Sequence, residues 1–202
     1  MERFQQWAQC RRYLLREVLL RIVIVDSHDS FVHSLALCFE DYGQTSVVQR
    51  SSPVQRADLI VLGPGPGHPR DDEHLGRWIE YAAGSVPLFG VCLGMQAIGL
   101  HFGANLCQLE PFHGVVDSIR TDDHWMFSGV PSPSDMTRYH SLGFRDLVDP
   151  LTVLATSATD GSVQALEHAE SAVFGVQFHP ESIGSALGRR LIANVVDRAL
   201  RG

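Results

Sequence analysis

A cysteine flanked by glycines, in Pro87-Leu-Phe-Gly90-Val-Cys92-Leu-Gly94-Met-Gln96, is the residue of this 202-residue chain best placed for covalent chemistry. The apolar run before it reads as a strand and the residues after it as a helix. That is the setting of a nucleophile elbow, with cysteine where many hydrolases carry serine. Gly90 and Gly94 let the backbone turn sharply, and the start of a helix favours a thiolate. The plainer alternative is a buried cysteine in a tight turn. Cys10, Cys38 and Cys107 have no such setting and read as structural.

A nucleophilic cysteine needs a base, and the base needs a group that orients it. Gly175-Val-Gln-Phe-His179-Pro-Glu181 offers both. His179 follows an apolar strand, and Glu181 is two residues on, on the same face of an extended backbone, where it can fix the imidazole tautomer and stabilise imidazolium. A third segment, Gly63-Pro-Gly65-Pro66-Gly67-His-Pro69, also follows a strand; alternating Gly and Pro make a stiff loop whose N–H groups can hold a developing oxyanion, or simply a rigid surface turn. Ligands of open parallel sheets bind beyond the carboxyl ends of the strands. All three segments sit there, so together they imply acyl transfer through a thioester, most simply hydrolysis of an amide.

The elements that must position these groups alternate. Strands are expected at Ile22–Val25, Thr45–Gln49, Leu59–Leu62 and Val86–Val91. Helices are expected from Asp29-Ser30 to a stop at Gly43, from about Asp71 to Ala83 with Gly84 as the stop, and over Leu93–Phe102. After Gly103 come short strands near Leu106, at Val115–Arg120, Gly143–Leu147, Leu151–Thr156 and Val163–Glu167, with a hairpin turn at Asp160-Gly161. An apolar strand at Ala172–Phe178 and a helix over Ser185–Leu200 close the chain. The expected fold is α/β: a single domain, 21–202, with a central mostly parallel sheet flanked by helices plus a small antiparallel portion. Residues 1–20 read as an amphipathic helix or linker.

Composition narrows the chemistry. Acidic residues outnumber basic ones 23 to 16, for a net charge of −7, so no basic field exists for nucleic acid. Lysine is absent, which removes Schiff-base catalysis and lysine-dependent phosphate loops. The four cysteines and ten histidines show no metal-ligand spacing, so no metal or cofactor is expected in this chain. No stretch reads as a signal peptide or membrane span, and a cytoplasmic location is expected.

Gly-Val-Cys92-Leu-Gly-Met-Gln96 together with Gln177-Phe-His179-Pro-Glu181-Ser resembles the class I glutamine amidotransferases, a flavodoxin-like family, over nearly all of 21–202. Asp26-Ser-His-Asp-Ser-Phe31, the Gly-Pro loop and Arg138-Tyr-His-Ser-Leu142 are similar to the branch serving chorismate: anthranilate, aminodeoxychorismate and phenazine-type aminodeoxyisochorismate synthases. The resemblance implies that Cys92 attacks glutamine, His179 shuttles the proton and Glu181 orients it. It further implies an oxyanion hole from the N–H groups of Leu93 and Gly65, and glutamine held by Gly65, Pro66, Gly67, Gln96, Ser141 and Leu142. Ammonia would pass to a chorismate-aminating synthase partner that carries magnesium. Three positions depart from the pattern: Met95 stands where many relatives have His, His113-Gly114-Val115 lacks a lysine, and Ser27-His28 replaces Asn-Tyr. Rival readings are an amidotransferase for another acceptor, a non-catalytic docking module, and a thiol hydrolase of γ-glutamyl peptides.

Overall fold

A computed structural model describes residues 20–201. The helix expected over residues 1–20 and Cys10 fall outside them, apart from Leu20, the first residue of a strand. The elements in chain order are β1 (Leu20–Asp26), α1 (Val32–Phe39), β2 (Gly43–Gln49), β3 (Leu59–Leu62), α2 (Glu73–Ala82), β4 (Leu88–Val91), α3 (Leu93–His101), β5 (Cys107–Gln108), β6 (Val115–Thr121), β7 (Ser134–Arg138), β8 (Leu142–Gly143), β9 (Leu151–Ser157), β10 (Val163–His168), β11 (Val173–Val176) and α4 (Gly188–Arg201).

Among the described residues one nine-stranded sheet runs β2-β1-β3-β4-β11-β10-β9-β6-β7, with β5 and β8 paired separately. From β2 to β11 every pairing is parallel. Strands buried on both faces must be apolar, and Ile22–Val25 of β1, β3 and β4 are such runs. Their side chains alternate between two cores. Ile22, Ile24, Leu59 and Val61 pack with Leu35 and Phe39 of α1 and Leu191 and Val195 of α4. Val23, Val25, Ile60 and Leu62 pack with Trp78 and Ile79 of α2 and Met95 and Ile98 of α3. Each such side chain contributes about 1.5–3 kcal/mol on burial, so β1 holds both helical layers to the sheet.

The antiparallel portion continues the same sheet through β10, β9, β6 and β7. β7 has no counterpart among the expected strands: Ser134-Asp-Met-Thr-Arg138 has almost no β-branched or apolar signal, and its pairing along β6 makes it a strand. Several ends also differ. The strand expected over Gly143–Leu147 is only Leu142–Gly143, and the last helix starts at Gly188 rather than Ser185. Gly43 does stop the helical stretch, which runs on from α1 through a 3₁₀ turn at Glu40–Tyr42, but not in the left-handed region. Its φ of 171° is extended, and it opens β2 against β1, where an added Cβ would lie 2.2 Å from the Leu20 carbonyl oxygen. No helix among the described residues is long and apolar enough to cross a membrane.

Candidate active site

Cys92 follows β4 directly and precedes α3, with φ 53° and ψ −104°. A non-glycine residue in that region is strained, and such strain is held only where the surroundings over-determine it. Here they do. The Cys92 N–H donates to the Val176 carbonyl at 2.8 Å and its carbonyl accepts from the Gln96 N–H at 3.0 Å. Gly94 lets α3 lie against β3, since a Cβ there would sit 2.2 Å from the Leu62 carbonyl oxygen. The elbow read from the sequence is therefore present, with its sulfur at the carboxyl end of the sheet.

β11 runs beside β4 in parallel register and delivers Gln177 and His179 to the same end. The His179 N–H donates to the Thr137 carbonyl at 2.9 Å, and the His179 carbonyl accepts from Ser185 Oγ at 2.6 Å, so the residue is pinned between β7 and the loop before α4. Its Nδ1 lies 2.6 Å from Glu181 Oε1, with both side chains almost wholly buried. The rings of Tyr139 and Phe31 pack edge-on against the imidazole at 4.9 and 5.7 Å between centroids. Burial penalises the imidazolium, but the Cys92 sulfur and the Glu181 carboxylate outweigh it and raise the His179 pKa from 6.5 to about 10. Nε2 makes no well-aligned hydrogen bond, so the sulfur acts on it at loose geometry. Catalytic hydrogen bonds commonly tighten only once substrate is bound.

A cleft of about 180 Å³ opens onto the sulfur, lined by Gly65, Pro66, Gly67, Cys92, Gln96, Tyr139, His140, Ser141 and Leu142. Every residue that the resemblance implies for glutamine is thus brought to one place. Gly65 is packed so tightly that a Cβ would stand 2.5 Å from that of Ser27 and 2.8 Å from Leu93 Cδ2. The Gly-Pro loop therefore abuts the first residue of α3, whose N–H has no acceptor within its own helix. A larger cavity of about 450 Å³ between α2 and α3, near Arg70, Leu75 and His101, includes neither Cys92 nor His179, and its size does not make it the reaction site.

Three residues of the site carried no role in the sequence reading. Gln177 is wholly buried and its Nε2 donates to Cys92 Sγ at 3.6 Å. The signal existed, because 177, 179 and 181 share one alternation. Tyr139 and His140 line the cleft although no periodicity marks them. Of the departures from the family pattern, Met95 is fully buried against Gly175 rather than in the cleft, while Val115 is exposed. Cys38 and Cys107 lie apart, their thiols donating to the carbonyls of Ser34 and Gly143. No cluster of three or more His, Cys, Asp or Glu among the described residues could hold a metal.

Two buried histidines titrate in opposite directions. His140 accepts from Arg138, and burial followed by the Arg138 charge lowers its pKa to about 4. The unfolded chain binds the extra proton between pH 6.5 and 4, so this stabilisation is full above pH 6.5 and lost on acidification. His179 is the reverse: its contribution is full below pH 6.5 and lost as pH rises toward 10. Thermal melts across pH 4 to 10 should therefore give a maximum Tm near neutrality; a Tm still climbing at pH 9 would contradict these protonation states.

A doubly wound sheet carrying a cysteine elbow, a His-Glu pair and a Gly-Pro loop at one edge is the arrangement of an amidotransferase, and comparison with known proteins agrees. The family model for glutamine amidotransferase class-I matches residues 23–199, and the chain belongs to that family. It is 36% identical over 190 residues to anthranilate synthase component 2 of Saccharolobus solfataricus, covering 87% of this chain and 97% of that protein. It is 39% identical over 199 residues to an aminodeoxychorismate synthase of Streptomyces pristinaespiralis, covering 90% of this chain but only 27% of that longer protein. Among solved structures, a Thermoplasma acidophilum protein assigned as a GMP synthase component superposes with a TM-score of 0.82 at 26% identity, covering 91% of this chain and 96% of that one.

Proposed function

We propose that this chain releases ammonia from glutamine through a thioester on Cys92 and delivers it, in the cytoplasm, to a chorismate-aminating synthase. The observation that carries the reading is the strained elbow cysteine set in one cleft with the Gly-Pro loop and backed by the buried His179-Glu181 pair. The Cys92 sulfur attacks the side-chain amide carbon of glutamine, and the N–H groups of Leu93 and Gly65 take up the oxyanion. As the tetrahedral intermediate collapses, His179 gives its proton to the departing nitrogen, which leaves as ammonia. Water then attacks the thioester, His179 accepts its proton, and glutamate leaves with the sulfur restored. Glu181 keeps Nδ1 of the imidazole protonated and oriented throughout. Gly65, Pro66, Gly67, Gln96, Ser141 and Leu142 hold the glutamine.

The acceptor is argued from the relatives at 32–41% identity, which are named anthranilate synthase components and aminodeoxychorismate synthases. Beside the site, Ile183 is fully exposed and Val116 lies against the adjoining Gly184, an apolar edge suited to a partner protein. Magnesium, in this reading, belongs to the synthase. An acceptor of another kind is the second reading, favoured by the GMP synthase-like structure.

The test is mass spectrometry after incubation with 6-diazo-5-oxo-norleucine, alone and with candidate synthases. Modification confined to Cys92 is expected. Its absence in every mixture would leave a docking module that has kept the shape of the site.

A further inference from the structure

The geometry points to His140 as the positioning residue for the glutamine-binding loop: held in one neutral tautomer by Arg138, it fixes the Leu142 carbonyl and, through it, the amide of Gln96. This inference rests on the reading of the cleft as a glutaminase site.

Donor and acceptor chemistry fixes the tautomer of the ring. Arg138 Nε lies 3.0 Å from His140 Nε2, and a guanidinium only donates, so Nε2 must be the unprotonated, accepting nitrogen. The ring proton therefore sits on Nδ1, 2.9 Å from the Leu142 carbonyl oxygen, to which it donates. The same oxygen accepts from Gln96 Nε2 at 2.9 Å, and Gln96 Nε2 also reaches Gln177 Oε1 at 3.2 Å. With its NH₂ engaged by two acceptors, Gln96 has its Oε1 left to offer a ligand. Gln177 in turn donates to the Cys92 sulfur. One unbroken chain thus joins Arg138, His140, the Leu142 carbonyl, Gln96, Gln177 and the nucleophile.

The far end of the chain is rigid. Arg138 is wholly buried, paired with Asp117 and Asp160, hydrogen-bonded to Ser157 and Ser162, and stacked 3.6 Å from the Phe112 ring centroid. This cluster ties β6, β7, β9 and the β9–β10 turn together under the loop. Burial and the Arg138 charge also keep His140 neutral at working pH. A protonated ring could not accept from Arg138, and the alternative tautomer would turn a lone pair toward the Leu142 carbonyl.

Two isosteric replacements separate the functions of the two ring nitrogens. The side-chain amide nitrogen of His140→Asn can take the place of Nδ1 and still donate to Leu142. His140→Gln reaches the place of Nε2, accepts from Arg138, and loses the donor to Leu142. With the intact chain and its synthase, His140→Gln is expected to raise the KM for glutamine at least about 10-fold with kcat within about 3-fold, and His140→Asn to keep KM within about 3-fold. Folding is followed by circular dichroism and Tm. Folded variants with equal KM values, or loss of folding in both, would overturn the positioning role. Wild-type protein that releases no ammonia under any condition would overturn the glutaminase reading itself, a result distinct from an active wild type indifferent to position 140.

Discussion

Cys92→Ser is expected to lower glutamine-dependent ammonia release by at least about 10³-fold, because removing one member of a nucleophile-base unit forfeits nearly all of its effect. Serine preserves the size of the side chain and the strained φ of 53°, so the elbow and its packing against Val176 and Gln96 survive. What is lost is the sulfur on which the proposed thioester would form and against which His179 would hold its proton. Amination by the synthase with added ammonia should continue at the wild-type rate, since that chemistry occupies the partner. Measuring both activities in one complex checks the division of labour. Equal loss of both would refute it.

Arg138→Met is expected to destabilise the fold by about 3–5 kcal/mol, the cost of leaving a buried ion without its counter-charge. The Asp117 side chain is only 1% exposed. Burial works against its charge, and the hydroxyls of Ser157 and Thr159 together with Arg138 overcome that to hold its pKa below the usual carboxylate range. Asp160 is lowered more strongly, again against burial, by Ser162 and Arg138. For a domain of this size each kcal/mol moves Tm by about 2–4 °C, so the drop should be on the order of 6–20 °C. Replacing Asp117 by Leu in the same chain should recover part of it, because an apolar substitute for the pair avoids desolvation. The wild type should also lose stability as pH falls below about 4, where unfolded carboxylates take up protons that the folded ones refuse. An unchanged Tm in Arg138→Met would show that the pair contributes nothing.

The two residues mark where the sequence speaks and where it is silent. Cys92, with Gly90 and Gly94 around it and an apolar strand before it, announces its geometry locally, because a strained turn between strand and helix needs those residue types in that order. The continuous apolar runs of β1, β3 and β4, with helices and stops between them, likewise declare a parallel sheet. Arg138 belongs to a segment that carries the resemblance, but nothing local in it announces a buried ion pair. Its strand, Ser134–Arg138, lacks an apolar pattern because a charge buried by pairing with Asp117 and Asp160 satisfies electrostatics rather than hydrophobic burial, and those partners lie 21 and 22 residues away.

The sequence by itself therefore determined the class of fold, the cysteine elbow, the pairing of His179 with Glu181 and the loop that faces them, since each is written in contiguous residues whose conformational needs are short-range. Only the tertiary structure decided that the antiparallel strands extend the same sheet, that Gln177, Tyr139 and His140 enter the site, and that Gln96 is oriented by the Leu142 carbonyl. The settings of Gln96 and Gln177 depend on hydrogen bonds between residues 46 and 81 positions apart, and no local pattern encodes which donor will meet which acceptor.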